Sequence, residues 1–316
     1  MADPRLDPEM AAFNAMMEAR AAALPPVRLQ QPFDEPRALT EALNLPLASG
    51  GPVMAESGDR WVPARGRRVQ CRVHRPDLPG PLPVLLYLHG GGWVWNSIDT
   101  HDRLMREYAA TAGCIVVGPD YALSPEAVFP QALEECEAVL RWVAAGGAAW
   151  GADPGRIVIG GDSAGANLAA GLALWLRDGP TPPPLRGLLL NYGVFDSAAR
   201  HAELRQVATG YGLTRERMAF YWQAYAPRAV DRASPFTTPL RAGLAGLPPC
   251  LLHVAELDVL ASENHVMAAQ LRAAGVVVET RLFPGTVHGF LRALGHVGQA
   301  HAAVEAAGTW LRARFA

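Results

Sequence analysis

Apolar and polar residues alternate at Val69, Cys71 and Val73, and this period of two predicts a half-buried edge strand. The apolar runs Pro83-Val84-Leu85-Leu86-Tyr87-Leu88 and Ile115-Val116-Val117-Gly118 are continuous, as in strands covered on both faces. Further strands are predicted at 156–159, 185–192, 250–255 and 276–283. Between and after them, apolar residues recur at helical spacing over 130–145, 167–176, 261–274 and 299–314. Strands alternating with helices of this length predict a mainly parallel sheet flanked by helices on both faces, an α/β fold.

Two stretches break that rhythm. At the N-terminus a helix is predicted over 8–20, with Phe13, Met16, Met17 and Ala21 on one stripe that packs or lines a pocket. The Pro-rich link Leu24-Pro25-Pro26 and a second helix over 36–44 follow it. The other interruption, 196–245, holds a helix over 214–225 with Thr214 at its N-cap, but Arg217 stands where a capping box needs Glu. Phe220, Tyr221, Trp222 and Tyr225 crowd that helix, which favours a lid over ordinary packing. No internal repeat is present, and Pro180-Thr181-Pro182-Pro183-Pro184 reads as a stiff loop.

Composition narrows the class. The chain has 316 residues, 50% hydrophobic and 18% charged, with a formal net charge of -2. That balance fits a soluble protein with one large core and gives no support for nucleic-acid or basic membrane-surface binding. No apolar run approaches the ~20 residues that span a bilayer, and the acidic, polar N-terminus does not resemble a signal peptide. Cys71, Cys114, Cys136 and Cys250 are scattered without a C-x-x-C pair, so buried free thiols and a cytoplasmic location are expected.

The candidate chemistry begins at Gly161-Asp162-Ser163-Ala164-Gly165, a G-x-S-x-G turn between a predicted strand and a predicted helix. Taken alone, these residues fit an ordinary Gly-rich turn equally well. Upstream, His89-Gly90-Gly91-Gly92 follows a strand, and its glycines free backbone N–H groups to face a developing oxyanion. A serine nucleophile on this fold needs a later acid and then a later histidine. His288 fits the second need, because it follows a strand in Pro284-Gly285-Thr286-Val287-His288. His253 lies within a strand, His265 in a helix, and His296 and His301 at the last helix. His74, His89, His101 and His201 precede the serine or fall in the insertion. For the acid, Asp258 lies further into the loop after the strand, while Glu256 remains an alternative that also suits a role in the turn.

From about residue 80 onward the chain resembles the hormone-sensitive-lipase-like branch of α/β-hydrolase carboxylesterases. The resemblance rests on His89-Gly90-Gly91-Gly92, Asp120-Tyr121-Ala122-Leu123-Ser124-Pro125-Glu126, Phe129-Pro130, Gly161-Asp162-Ser163-Ala164-Gly165, Glu256-Leu257-Asp258 and His288-Gly289-Phe290, in that order. It implies that Ser163 is the nucleophile, His288 the base and Asp258 its orienting acid, with N–H donors from Gly91, Gly92 and Ala164 at the oxyanion. It also implies helical cap segments at 1–45 and 196–245 over a core of 46–195 and 246–316. Two departures stand out. Ala122 occupies a place where the family commonly has arginine, which bears on support for the His89 loop. The family's common D-P-L-R-D reads Asp258-Val259-Leu260-Ala261-Ser262 here, which bears on the shape of the acid loop.

The function implied is hydrolysis of short-chain acyl or aryl esters through an acyl-enzyme, with an amidase or formamidase using the same triad as the alternative. A non-catalytic small-molecule receptor on this fold, as in gibberellin receptors, is the alternative from a different class; those receptors lack the histidine that His288 supplies. Trp93, Tyr211, Tyr221 and Phe290 are the expected pocket walls. No metal or organic cofactor is implied. The expected partner is a small-molecule ester rather than nucleic acid or membrane, with a homodimer left open beside a monomer.

Overall fold

The computed structural model describes residues 4–198 and 211–316. His201 and the rest of 199–210 in the expected insertion lie outside the described residues, as do residues 1–3.

Eight strands form one sheet: β1 (Glu56–Ala64), β2 (Arg67–Arg75), β3 (Leu82–Leu88), β4 (Ile115–Pro119), β5 (Ala152–Asp162), β6 (Leu185–Asn191), β7 (Cys250–Leu257) and β8 (Val278–Val287). Their spatial order is β1-β2-β4-β3-β5-β6-β7-β8. Among the described residues only β2 pairs antiparallel, with β1 on one side and β4 on the other, and every other pairing is parallel. Every residue of β3 and β4 is buried, which explains their unbroken apolar runs.

Around the sheet lie α3 (Asp102–Ala112), α4 (Gln131–Gly146), α5 (Ala164–Arg177), α8 (Ala261–Ala273) and α9 (Gly298–Phe315), with α3 packed on α9 and α4 on α5. Ahead of the sheet come α1 (Pro8–Ala22) and α2 (Asp34–Asn44), and α6 (Arg215–Tyr225) and the short α7 (Ala229–Ala233) fall between β6 and β7. Sequence chemistry sets several of these starts. The Asp7 carboxylate accepts from the N–H groups of Glu9 and Met10 at 2.9 and 3.0 Å ahead of Pro8. Thr214 caps α6 by accepting from the Arg217 N–H at 3.2 Å.

Two expectations change, and one open alternative closes. The strand carrying Val69, Cys71 and Val73 is not the sheet edge, because β1 covers its outer side. The last strand runs four residues beyond 283, so His288 follows it directly. Met16 and Met17 pack against the hydrophobic core, and neither lines the cavity described below. All four cysteines are buried and free, and burial pushes the Cys71 and Cys114 thiols up to about 12. Among the described residues, no helix is long and apolar enough to cross a membrane.

Candidate active site

Parallel strands all present their carboxyl ends at one edge of a sheet, and the loops leaving that edge converge there. The loops after β3, β5, β7 and β8 carry His89-Gly90-Gly91-Gly92, Ser163, Asp258 and His288 respectively.

Ser163 sits between β5 and α5 with φ 54° and ψ -118°, a conformation costly for any residue with a Cβ. The turn is held by contact on both sides. A Cβ on Gly165 would lie 1.9 Å from the Leu88 carbonyl oxygen, and one on Gly161 would lie 2.5 Å from the backbone of Gly165. The Ser163 hydroxyl does not cap α5 but meets His288 Nε2 at 2.8 Å. His288 Nδ1 meets Asp258 Oδ2 at 2.7 Å. An ionised carboxylate only accepts, so Nδ1 carries the ring proton and Nε2 accepts from the serine hydroxyl.

The acid loop keeps its shape despite its departure from D-P-L-R-D. Asp258 Oδ1 accepts from the Leu260 N–H at 3.0 Å, and the Asn264 side chain donates to the Leu260 carbonyl at 2.8 Å. Glu256 is still inside β7 and accepts from the Gly285 N–H of β8 at 2.7 Å, so it ties the two strands together where their register shifts and fixes no turn.

The glycine loop is anchored by Asp162, whose part the sequence left unassigned. Its Oδ1 accepts from Tyr87 Oη and from the Gly90 N–H, each at 3.0 Å, and lies 3.4 Å from His101 Nε2. Burial opposes its charge, yet His101 first and then the Tyr87 hydroxyl hold the carboxyl below its usual range. Burial first, then His101, pushes the His89 imidazole down to about 3, so that ring is neutral. Where Ala122 replaces the family's arginine, Tyr121 supports the loop instead. Its ring stacks on His89 at 4.3 Å, and its hydroxyl donates to the His89 carbonyl at 2.7 Å. Arg37 of α2 adds a second support, donating to the carbonyls of Val94 and Ser124 at 3.0 and 2.9 Å.

Gly91 has φ 129° and Gly92 φ 62°. Among the described residues neither N–H has a protein acceptor, and the N–H of Ala164, first residue of α5, has no partner within its helix. A Cβ on Gly92 would lie 2.5 Å from the Tyr221 ring.

A cavity of about 1140 Å³, including its open mouth, reaches Ser163 and His288. Gly91, Gly92, Trp93 and Tyr221 line it, with Leu43 and Asn44 from α2 and Leu213 and Met218 from the segment after β6. Two expected walls lie elsewhere. Phe290 is fully buried against Tyr192 and Phe283, and Tyr192 in turn packs edge-on to His288, so Phe290 backs the histidine from behind. Tyr211 is buried and does not line the cavity, although Gly212 and Leu213 beside it do, and its hydroxyl accepts from Arg5 at 2.5 Å. Of the aromatics crowding α6, Trp222 and Tyr225 pack against the Trp93 ring, at 4.9 and 4.4 Å between centroids. The sequence reading missed Asn44, Asn96 and Arg292. Arg292 donates to Asn44 Oδ1 at 3.0 Å, Asn44 donates to Asn96 at 3.2 Å, and Asn96 donates to the Gly90 carbonyl at 3.3 Å. Among the described residues, no group of three or more His, Cys, Asp or Glu side chains could hold a metal ion.

A serine on a strained strand-to-helix turn, facing a histidine and an aspartate from later strands, places the molecule among the α/β-hydrolases. A family model described as alpha/beta hydrolase fold matches residues 85–292, and the chain belongs to that family, in its hormone-sensitive-lipase-like branch. Solved structures agree along the whole length. The chain is similar to a thermostable esterase from Pseudomonas putida, at 34% identity and TM-score 0.90, covering 100% of this chain and 99% of that one. It is also similar to a hyperthermophilic esterase from the archaeon Pyrobaculum calidifontis, at 31% identity and TM-score 0.88, covering 98% of each. An alpha/beta hydrolase from the metagenome of Lake Arreo, Spain, matches at 31% identity and TM-score 0.92, covering 99% of each.

Proposed function

We propose that the protein is a serine carboxylesterase acting on short-chain acyl or aryl esters through a Ser163–His288–Asp258 acyl-enzyme mechanism. The observation that carries the reading is the unbroken hydrogen-bonded line from Ser163 Oγ through His288 to Asp258, at 2.8 and 2.7 Å. In this reading Ser163 Oγ bonds the acyl carbon as its proton passes to His288 Nε2. The N–H groups of Gly91, Gly92 and Ala164 stabilise the oxyanion, each donor worth roughly 3 kcal/mol. The ester C–O bond then breaks, and the departing alkoxide takes the proton from His288. Water repeats the sequence to release the acid and restore the serine. Asp258 stabilises the imidazolium without becoming protonated itself.

The segments 1–45 and 196–245 act as a cap over this site, the reading supported by the residues that α2 and the segment after β6 contribute to the cavity wall. Tyr221 and Trp95, with the apolar Leu43, Leu213 and Met218, suit a compact acyl group or an aryl leaving group. Ser163→Ala tests the mechanism, with p-nitrophenyl esters from acetate to decanoate as the panel. The wild type is expected to hydrolyse acetate and butyrate best, and the variant to lose at least about a thousandfold in kcat. A variant that keeps the wild-type rate on acetate overturns the mechanism, and a preference for decanoate overturns the short-chain assignment.

A further inference from the structure

The cavity's charges are lopsided in a way that the triad does not explain. Arg217 and Arg292 both line it, and among the described residues the one carboxylate in its wall, Asp162, is buried and already accepts from Tyr87 and Gly90. Among the described residues neither guanidinium meets a carboxylate. Arg292 donates only to neutral oxygens, Asn44 Oδ1 at 3.0 Å and the Gly289 carbonyl at 3.3 Å, and Arg217 is exposed in the first turn of α6. Two arginines that meet no carboxylate among the described residues, on a shared cavity wall, are notable in a chain whose net charge is -2. They also act on one point. Burial raises the Tyr221 hydroxyl, and the positive charges of Arg217 and Arg292 both oppose that rise.

Position decides which part of a substrate they face. Arg292 lies four residues after His288, and its Nε would be 3.2 Å from a Cβ on Gly289. His288 is the group that hands its proton to the leaving oxygen, so the alcohol portion of an ester departs past this loop. We propose that the enzyme selects esters whose alcohol portion carries a carboxylate, which Arg292 and Arg217 bind beside the His288 loop. Guanidinium geometry matches a carboxylate with two parallel N–H···O bonds, which a neutral group of the same size cannot replace. The proposal rests on the esterase reading above and names its substrate class.

The test compares 4-acetoxybenzoate with its neutral amide, 4-acetoxybenzamide, which shares the acyl group and nearly the same shape. The readout is the anion-to-neutral ratio of kcat/KM in wild type, Arg292→Met, Arg292→Lys and Arg217→Gln. The ratio is expected to fall at least about tenfold in Arg292→Met. Arg292→Lys, which retains the charge, should recover much of it. Arg217→Gln, at an exposed site, should lower the ratio by roughly two- to fivefold. Raising the salt from 0.05 to 0.5 M should shrink the wild-type ratio, as screening of a partly solvated cation requires. A ratio unchanged by both substitutions overturns the proposal. So does an equal loss on both substrates in Arg292→Met, which would mark a residue that only holds Asn44 and the loop. If wild type turns over neither ester, the esterase reading itself falls.

Discussion

His253 shows how one side chain can set the acid tolerance of the molecule. It lies fully buried in β7, neither ring nitrogen has a partner among the described residues, and its ring meets Phe283 edge-on at 5.0 Å. Burial, with Arg281 nearby, pushes its imidazole down to about 3 from 6.5. The unfolded chain therefore takes up a proton below about 6.5 that the folded chain refuses until about 3, so stability is lost as the pH falls through that window. Between pH 7 and 5 this one group removes on the order of 2 kcal/mol. His253→Leu should shrink the pH 7 to pH 5 difference in urea-unfolding free energy by about that amount. An unchanged difference would mean that the buried ring is charged or hydrated at neutral pH. The neighbouring chemistry shows why some residues were readable and others were not. His288 and Asp258 were legible because each follows a strand in the required order, which is local information. Phe290, beside the His288 loop, and Tyr211, in the insertion, were expected as pocket walls, but an aromatic in either place can face the cavity or the core, and only packing decides. Asp162 escaped notice for a related reason: its role depends on Tyr87, Gly90 and His101, which come from other elements.

Among elements, the tightest fit is where β3, β5 and α5 meet beneath the serine. The Leu88 carbonyl reaches so close to α5 that only glycine fits at 165. Gly165→Ala should therefore push α5 off the sheet, costing about 3 kcal/mol or more and displacing Ser163 from His288. Gly146, the last residue of α4, is the control. An added methyl there meets nothing within 4 Å, so Gly146→Ala should stabilise by about 0.5–1 kcal/mol. Urea midpoints for the two variants that move in the same direction would contradict this account. The parallel core was legible because β3, β4 and β6 carry apolar runs that burial on both faces demands. β1 was not, since Glu56-Ser57-Gly58-Asp59 is polar, Pro63 interrupts it, and Val62 is its one buried residue. Its pairing with β2 overrides weak local preference. The helix α3 is a different case. Leu104, Met105, Tyr108, Ala109 and Ala112 all lie buried at helical spacing, so its signal was present in the chain.

At the scale of the whole molecule, the site is assembled by segments far apart in sequence. Residues of α2 support the glycine loop through Arg37 and reach Arg292 through Asn44, a link across 248 positions. No local pattern announces such a link: the resemblance placed 1–45 in a cap, but that α2 rather than the Met16–Met17 stripe reaches the cavity is settled only by packing. The order of Ser163, Asp258 and His288 could be read because the sheet forces four loops to one edge, whatever covers them. The central claim is that Ser163 becomes acylated, with His288 and Asp258 serving it. Its most direct test is treatment with an aryl alkylphosphonate, followed by intact mass and peptide mapping. The account predicts a single adduct per chain on the peptide carrying Ser163, formed in step with loss of esterase activity and absent from Ser163→Ala. Activity that disappears with the adduct on another residue, or that survives with Ser163 fully labelled, would contradict it.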